Sequence, residues 1–153
     1  MSLRAQINDA LKDAMKAGDK RRVSTLRLMN SAIKDKDILS RTEGHDSALT
    51  PDAGLIDLFA KMVKQRQESV AVFEQGGRPE LAQAEREEIA IIQSYMPKQL
   101  SDDDAKAAVA AIIKAVGAAS IKDMGKVMAE LKAKYAGQMD MAKAGAIVKG
   151  MLG

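Results

Sequence analysis

Residues 50–81, TPDAGLIDLFAKMVKQRQESVAVFEQGGRPEL, decide the fold. Thr50 is a good N-cap residue, and Pro51 behind it suits a first helical turn, where its missing N–H leaves nothing unpaired. Leu55, Leu58, Phe59, Met62, Val63, Val70 and Phe73 then form one apolar stripe at helical spacing. The stripe predicts a helix up to Gly76-Gly77, about 36 Å long at 1.5 Å per residue. Pro79 opens the next helix, with Leu81, Ala84, Ile89, Ile92 and Tyr95 inward, and Pro97 stops it.

Working upstream, Ser2 caps a first helix with Leu3, Ile7, Ala10, Leu11, Ala14 and Met15 on its apolar face, ending at Gly18. Asp19 caps a second, whose stripe of Val23, Leu26, Met29 and Ile33 runs out at Asp37-Ile38. Ser40 to Thr50 is polar and contains Gly44 and a solvated His45, so it reads as a loop. Downstream, Met96-Pro97-Lys98-Gln99-Leu100 marks a boundary, because Ser101-Asp102-Asp103-Asp104 begins a new helix with a capping box and acids on the turn that the dipole favours. Three short helices are expected: Asp102 to Val116, ended by Gly117; Ile121 to Tyr135, capped by Ser120; and Met141 to Leu152, capped by Asp140. The expected architecture is all-α, an N-terminal helical bundle over residues 1–97 followed by a small three-helix C-terminal domain over residues 98–153.

Composition agrees with helices packed by aliphatic side chains: 46% of the 153 residues are apolar, yet only Phe59, Phe73, Tyr95 and Tyr135 are aromatic. With no cysteine and a single histidine, thiolate and histidine-pair metal sites are excluded, and neither metal nor cofactor is expected. No stretch approaches the roughly 20 apolar residues of a membrane span. The N-terminus lacks the apolar core of a signal peptide, so a cytoplasmic protein without a membrane partner is expected.

Charge is distributed unevenly. Met1 to Pro97 holds 15 cations and 15 acids, whereas Lys98 to Gly153 holds nine lysines and six acids, so the net +3 lies in the last third. Lys122 and Lys126, four apart, share one face of the predicted middle helix, Lys132 and Lys134 continue near its end, and Lys143 and Lys149 lie on the last helix. These six lysines form either a solvated face or a surface for phosphates, to which ammonium groups bind as point charges. No aromatic platform accompanies them, which argues against reading of single-stranded bases.

Catalytic chemistry finds little footing. No phosphate loop, dinucleotide fingerprint, nucleophile elbow or histidine acid–base pair occurs, so no catalytic residue is assigned. Glu85 and Glu88, three apart, read as a charged face paired with Arg66 or Arg78 rather than as a proton or metal site. Gly76-Gly77-Arg78-Pro79 reads as an inter-helix turn before an anion site, and an inward Arg66 must meet a carboxylate or carbonyls. Ser69, Arg78 and Tyr95 join that structural network, and Met124, Met128, Met139 and Met141 read as core filling.

Several of these motifs stand in a telling order. Arg66-x-x-Ser69, Phe73-x-x-Gly76-Gly77-Arg78-Pro79-Glu80-Leu81-Ala82, Glu85-x-x-Glu88-Ile89, Tyr95-Met96-Pro97-Lys98-Gln99-Leu100-Ser101 and Lys122-Asp123-Met124-Gly125-Lys126-Val127-Met128 together resemble the GatB/YqeY family. The resemblance runs from Leu3-x-x-x-Ile7 and Asp19-Lys20-x-Arg22 to Gly137-x-x-Asp140, and is greatest to the stand-alone members. It implies a two-part helical protein related to the C-terminal portion of the GatB component of the glutamine-dependent aspartyl/glutamyl-tRNA amidotransferase, whose tail engages tRNA. Nothing here matches that enzyme's active sites.

The resulting expectation is a tRNA-binding accessory module that presents Lys122, Lys126, Lys132, Lys134, Lys143 and Lys149 to phosphates. An aminoacyl-tRNA synthetase or an amidotransferase core is the candidate protein partner. Two rivals remain: participation in carbon–nitrogen ligation with glutamine as amide donor, and a helical adaptor that docks a synthetase or an amidotransferase core through methionine-bearing helices.

Overall fold

A computed structural model of the chain describes residues 2–42 and 50–153. Those residues form seven α-helices and one 3-10 turn, with no strand among them. The helices are α1 (Leu3–Ala17), α2 (Lys20–Thr42), α3 (Asp52–Gln75), α4 (Pro79–Gln93), α5 (Asp102–Val116), α6 (Met124–Tyr135) and α7 (Met141–Leu152). They divide into two compact units, Met1–Met96 and Pro97–Gly153.

In the first unit, the predicted apolar stripes face one another. Leu3 and Ile7 of α1, Leu26, Met29 and Ile33 of α2, Leu55 and Phe59 of α3, and Ile92 of α4 are buried in one core. Each fully buried aliphatic or aromatic side chain contributes roughly 1.5–3 kcal/mol. The α3 stripe is buried only as far as Val63, and beyond it Val70 and Phe73 are half-buried. Two stripe ends differ from the pattern: Met15 is 53% exposed, and on α4 Ala82 is buried while Leu81 is 37% exposed. The inward phase of α4 is Ala82, Ile89, Ile92, one residue on from Leu81, and the small alanine seats the close α3–α4 packing.

Helix ends follow local chemistry. Ser2 Oγ accepts the Ala5 N–H at 3.2 Å and Asp19 Oδ1 accepts the Arg22 N–H at 3.1 Å. Gly18 closes α1 with φ 71°, a left-handed conformation that glycine adopts without steric penalty, and the Asp19 N–H returns to the Ala14 carbonyl at 3.1 Å.

The expected start of α3 is corrected. Its first helical residue is Asp52, its capping position is occupied by Pro51, and Thr50 caps nothing. Thr50 is held instead by its backbone: Asp37 Oδ1 accepts the Thr50 N–H at 2.9 Å, and Arg4 Nη2 donates to the Thr50 carbonyl at 3.0 Å. Arg4 also grips the Asp37 carboxylate through both terminal nitrogens, at 2.9 and 3.3 Å. Nearby, the Leu3 N–H donates to Asp52, at 3.2 Å to Oδ2. The second helix also outruns its expected end, because Ser40 to Thr42 continue α2 with no breaker before Gly44. Gly44 and His45 lie outside the described residues.

The second unit has a smaller core of Val109, Ile112, Val127, Leu131, Ala144 and Val148. Met124, Met128, Met139 and Met141 pack against it, so these methionines fill the core. Gln99 ties the start of this unit to the α6–α7 turn by donating to the Gly137 carbonyl, and the Leu100 N–H donates to the Gln138 carbonyl at 2.8 Å.

Two outcomes are expected. Burial pushes the Asp37 carboxyl up, but the Thr50 N–H and the Arg4 guanidinium more than offset this, and its pKa lies below the ordinary 3.8. The stabilisation is therefore present above 3.8 and is lost as pH falls through the lower folded value. Asp37→Asn should destabilise the chain by about 2 to 3 kcal/mol at neutral pH in urea unfolding, with a deficit that shrinks as the pH falls below 3.8. In α3, a Cβ on Gly54 would meet Thr50 Cγ2 at 2.7 Å. Gly54→Ala should thus lower stability by about 1 kcal/mol despite its better helix propensity, and adding Thr50→Ser should recover it.

Candidate functional site

The six lysines expected to meet phosphate all lie in the second unit, and the helix starts there govern the surrounding charge. Ser101 Oγ accepts the Asp104 N–H at 3.1 Å, which opens α5 with Asp102, Asp103 and Asp104 in its first turn. Asp140 Oδ1 accepts the Ala142 N–H at 2.9 Å and caps α7. Asp123 turns back to accept the N–H groups of Ala119 and Ser120 at 3.0 and 3.4 Å. Those two bonds hold its carboxyl below the ordinary 3.8, aided by the charge of Lys126. Five of the unit's six acids are thus placed at helix starts, where the dipole favours them.

The lysines are not taken up by these caps, Lys126 acting on Asp123 only through its charge. Lys122, Lys126, Lys132, Lys134, Lys143 and Lys149 are exposed, and none of them forms an ion pair among the described residues. They do not share one stripe. Ile121–Asp123 is a separate 3-10 turn, closed by the Asp123 N–H on the Ser120 carbonyl at 2.9 Å, and α6 begins only at Met124. The expected middle helix is thus split, with Lys122 in the 3-10 turn and Lys126 in α6. At 100° per residue, Lys132 and Lys134 project about 160° apart, and Lys143 and Lys149 about 120° apart. The positive charge is spread over more than one side of α6 and of α7.

Of the residues singled out in the first unit, Arg66 and Glu88 are brought together. Arg66 Nε donates to Glu88 Oε2 at 2.9 Å and its Nη1 to the Met62 carbonyl at 3.2 Å, the carboxylate and the carbonyl that an inward arginine requires. Ser69 Oγ donates to the Gln65 carbonyl at 3.2 Å, while Arg78 is exposed and Glu85 half-buried. Gly76-Gly77-Arg78 is a turn whose N–H groups return to the Val72, Glu74 and Phe73 carbonyls, so they are not open to an anion. Sequence reasoning missed Arg21 and Arg22. Arg21 reaches Glu87 at 3.2 Å and Glu88 at 3.9 Å, and Arg22 donates to the Tyr95 hydroxyl with its guanidinium 5.8 Å from the ring centroid. It also missed the Arg4–Asp37 pair, because partners 33 residues apart leave no spacing to read. Among the described residues, no cluster of three acidic or histidine ligands could hold a metal ion, and no helix is long and apolar enough to cross a membrane.

Comparison with known proteins places this geometry in a family. The chain is 38% identical over 92 residues to altered inheritance of mitochondria protein 41, mitochondrial, of Eremothecium gossypii, covering 60% of this chain and 48% of that protein. It is 36% identical over 91 residues to the protein of the same name from Kluyveromyces lactis, covering 60% and 46%. For the Saccharomyces cerevisiae YJM789 protein the identity is 35% over 86 residues, covering 56% and 44%. The chain therefore spans about half the length of the curated relatives it matches. Their names overturn the expected cytoplasmic location: these relatives are mitochondrial proteins. The physical reason is that lacking an apolar segment excludes only routes read from such a segment, whereas mitochondrial targeting sequences are amphipathic and polar. The pattern defining Yqey-like proteins matches residues 4–152, nearly the whole of both units, and the chain belongs to that family.

Proposed function

We propose that the chain is a tRNA-binding accessory module that contributes binding rather than catalysis. In this reading residues 1–97 are a helical bundle that holds and orients, and residues 98–153 are a three-helix domain that meets tRNA phosphates through Lys122, Lys126, Lys132, Lys134, Lys143 and Lys149. The observation that carries it is the charge arrangement of the second unit: its aspartates lie at helix starts, two of them accepting backbone N–H groups, and the six lysines are exposed without ion pairs among the described residues. Cations spread over several sides of α6 and α7 suit a folded polyanion, recognised by shape and phosphate position. Lysine point charges make such contact strongly salt-dependent.

The test is a titration of labelled tRNA transcript with the full chain between about 50 and about 200 mM salt, where phosphate-dominated affinity changes most. The Lys122→Glu/Lys126→Glu variant should bind more weakly and lower the log–log salt slope by about 1 to 2 units, since each phosphate contact contributes roughly 0.9. An unchanged slope removes these two lysines from the interface. Absence of binding by the unaltered chain at the lower salt overturns the tRNA reading.

A further inference from the structure

The cations of α2 fall into two sets. Arg21 pairs with Glu87 and Glu88 of α4, and Arg22 donates to Tyr95 just beyond the end of that helix. Lys20, Arg27, Lys34 and Arg41 recur every seven residues, are all exposed, and form no ion pair among the described residues. Seven residues fall about 20° short of two helical turns and advance about 10.5 Å, so the four charges follow one side of α2 for about 31 Å with a drift of about 60°. Between the first three stand exposed Ser24 and Ser31, four residues after one cation and three before the next. The acids of α2 interrupt this line little: Asp37 is buried against Arg4, and Asp35 lies beside Lys34.

A second feature coincides with the start of the ladder. Lys20, Ser24 and Arg27 line a recess of about 420 Å³ together with Met15, Gly18 and Val23. Met15, 53% exposed, and half-buried Val23 give this recess an apolar wall between two cations and a hydroxyl.

We propose that this side of α2 is a second RNA-contacting surface, along which a phosphodiester backbone runs from Arg41 to Lys20 with one unpaired nucleoside lodged in the recess. Ammonium, guanidinium and hydroxyl groups are the side-chain donors that phosphate oxygens accept, and here they alternate at a regular step. An acidic helix of a protein partner would need apolar holes all along the seam, whereas the apolar side chains here stand only at its two ends, Val23 at the start and Ile38 near the finish. A flat anionic membrane would meet the cations, but an interfacial helix carries a continuous apolar face, which the serines and Asp35 break. The lining of the open recess sets Met15 and Val23 beside Lys20, Ser24 and Arg27, an apolar contact next to cations, which is the pairing a nucleotide's base and phosphate would use.

This surface shares its partner class with the function proposed above but none of its residues, so the two can fail separately. The probe is labelled tRNA transcript titrated with the full chain, with phosphatidylglycerol vesicles as a second arm. Arg27→Gln/Lys34→Gln removes charge without adding repulsion, and Lys12→Gln/Lys61→Gln makes the same net change off the ladder. The ladder variant should lose about tenfold in affinity and about 2 units of salt slope, and the off-ladder variant should match the unaltered chain. Equal losses in both variants reduce the effect to net charge and overturn the proposal. So does tRNA binding that Arg27→Gln/Lys34→Gln leaves intact, including the case where only vesicle binding falls. Loss on the ladder with Lys122→Glu/Lys126→Glu unaffected keeps this surface and removes Lys122 and Lys126 from the interface; the reverse result does the opposite. No tRNA binding by the unaltered chain overturns both.

Discussion

The pairing of Arg4 with Asp37 is the constraint on which the first unit depends. One guanidinium joins α1 to α2 through two hydrogen bonds and to a residue just before α3 through a third, and the same carboxylate takes the Thr50 N–H. Three chain segments are thus fixed at one point, at the edge of the core built from Ile7, Ile33 and Leu55. Hydrophobic burial alone would let α1 slide along its neighbours, since apolar contact is non-directional. A bidentate, partly buried ion pair sets register because its geometry is specific and because leaving either charge unpaired costs several kcal/mol. Gly54 belongs to the same constraint: Thr50, held by its backbone, leaves no room for a Cβ at that turn of α3.

Elsewhere polar pairing is graded by burial. The Arg66 and Glu88 side chains, 15% and 16% exposed, satisfy each other inside the α3–α4 hairpin, whereas Arg21 and Glu87, about half exposed, pair where water screens them. In the second unit the same logic works through helix starts. N–H groups left open at the beginning of a helix recruit aspartate, and lysine is left at the surface. A modest excess of lysine thereby becomes a more uneven surface, with Asp123 and Asp140 turned to backbone N–H groups and the lysines presented to solvent.

Much of the fold was legible because helices declare themselves locally. Caps at Ser2, Asp19, Ser101 and Asp140, breakers at Gly18, Gly117 and Pro97, and stripes of period 3.6 depend on residues within a turn or two of each other. The inward Arg66 was legible too, from an arginine in apolar phase, although its partner Glu88 was one of several candidates. Three features were not. Thr50 has the chemistry of a cap but is diverted by Asp37, the Ile121 turn winds as 3-10 because Asp123 folds back on Ala119 and Ser120, and Ala82 takes the buried place that Leu81 would fill by size. In each case a competing contact outweighed a local preference.

The sequence by itself determined the helical class, the helix limits to within a few residues, the cationic excess after Pro97 and membership of the Yqey-like family, since all are properties of neighbours in the chain or of ordered motifs. Tertiary structure decided which charges are paired and which are free. Lys20, Arg21, Arg22 and Arg27 stand within eight residues of one another and are equivalent by composition, yet Arg21 meets α4 and Arg22 meets Tyr95 just after it, while Lys20 and Arg27 face solvent beside a recess. That division follows from where α4 packs against α2, and ion-pair partners more than 60 residues away leave no trace in local spacing.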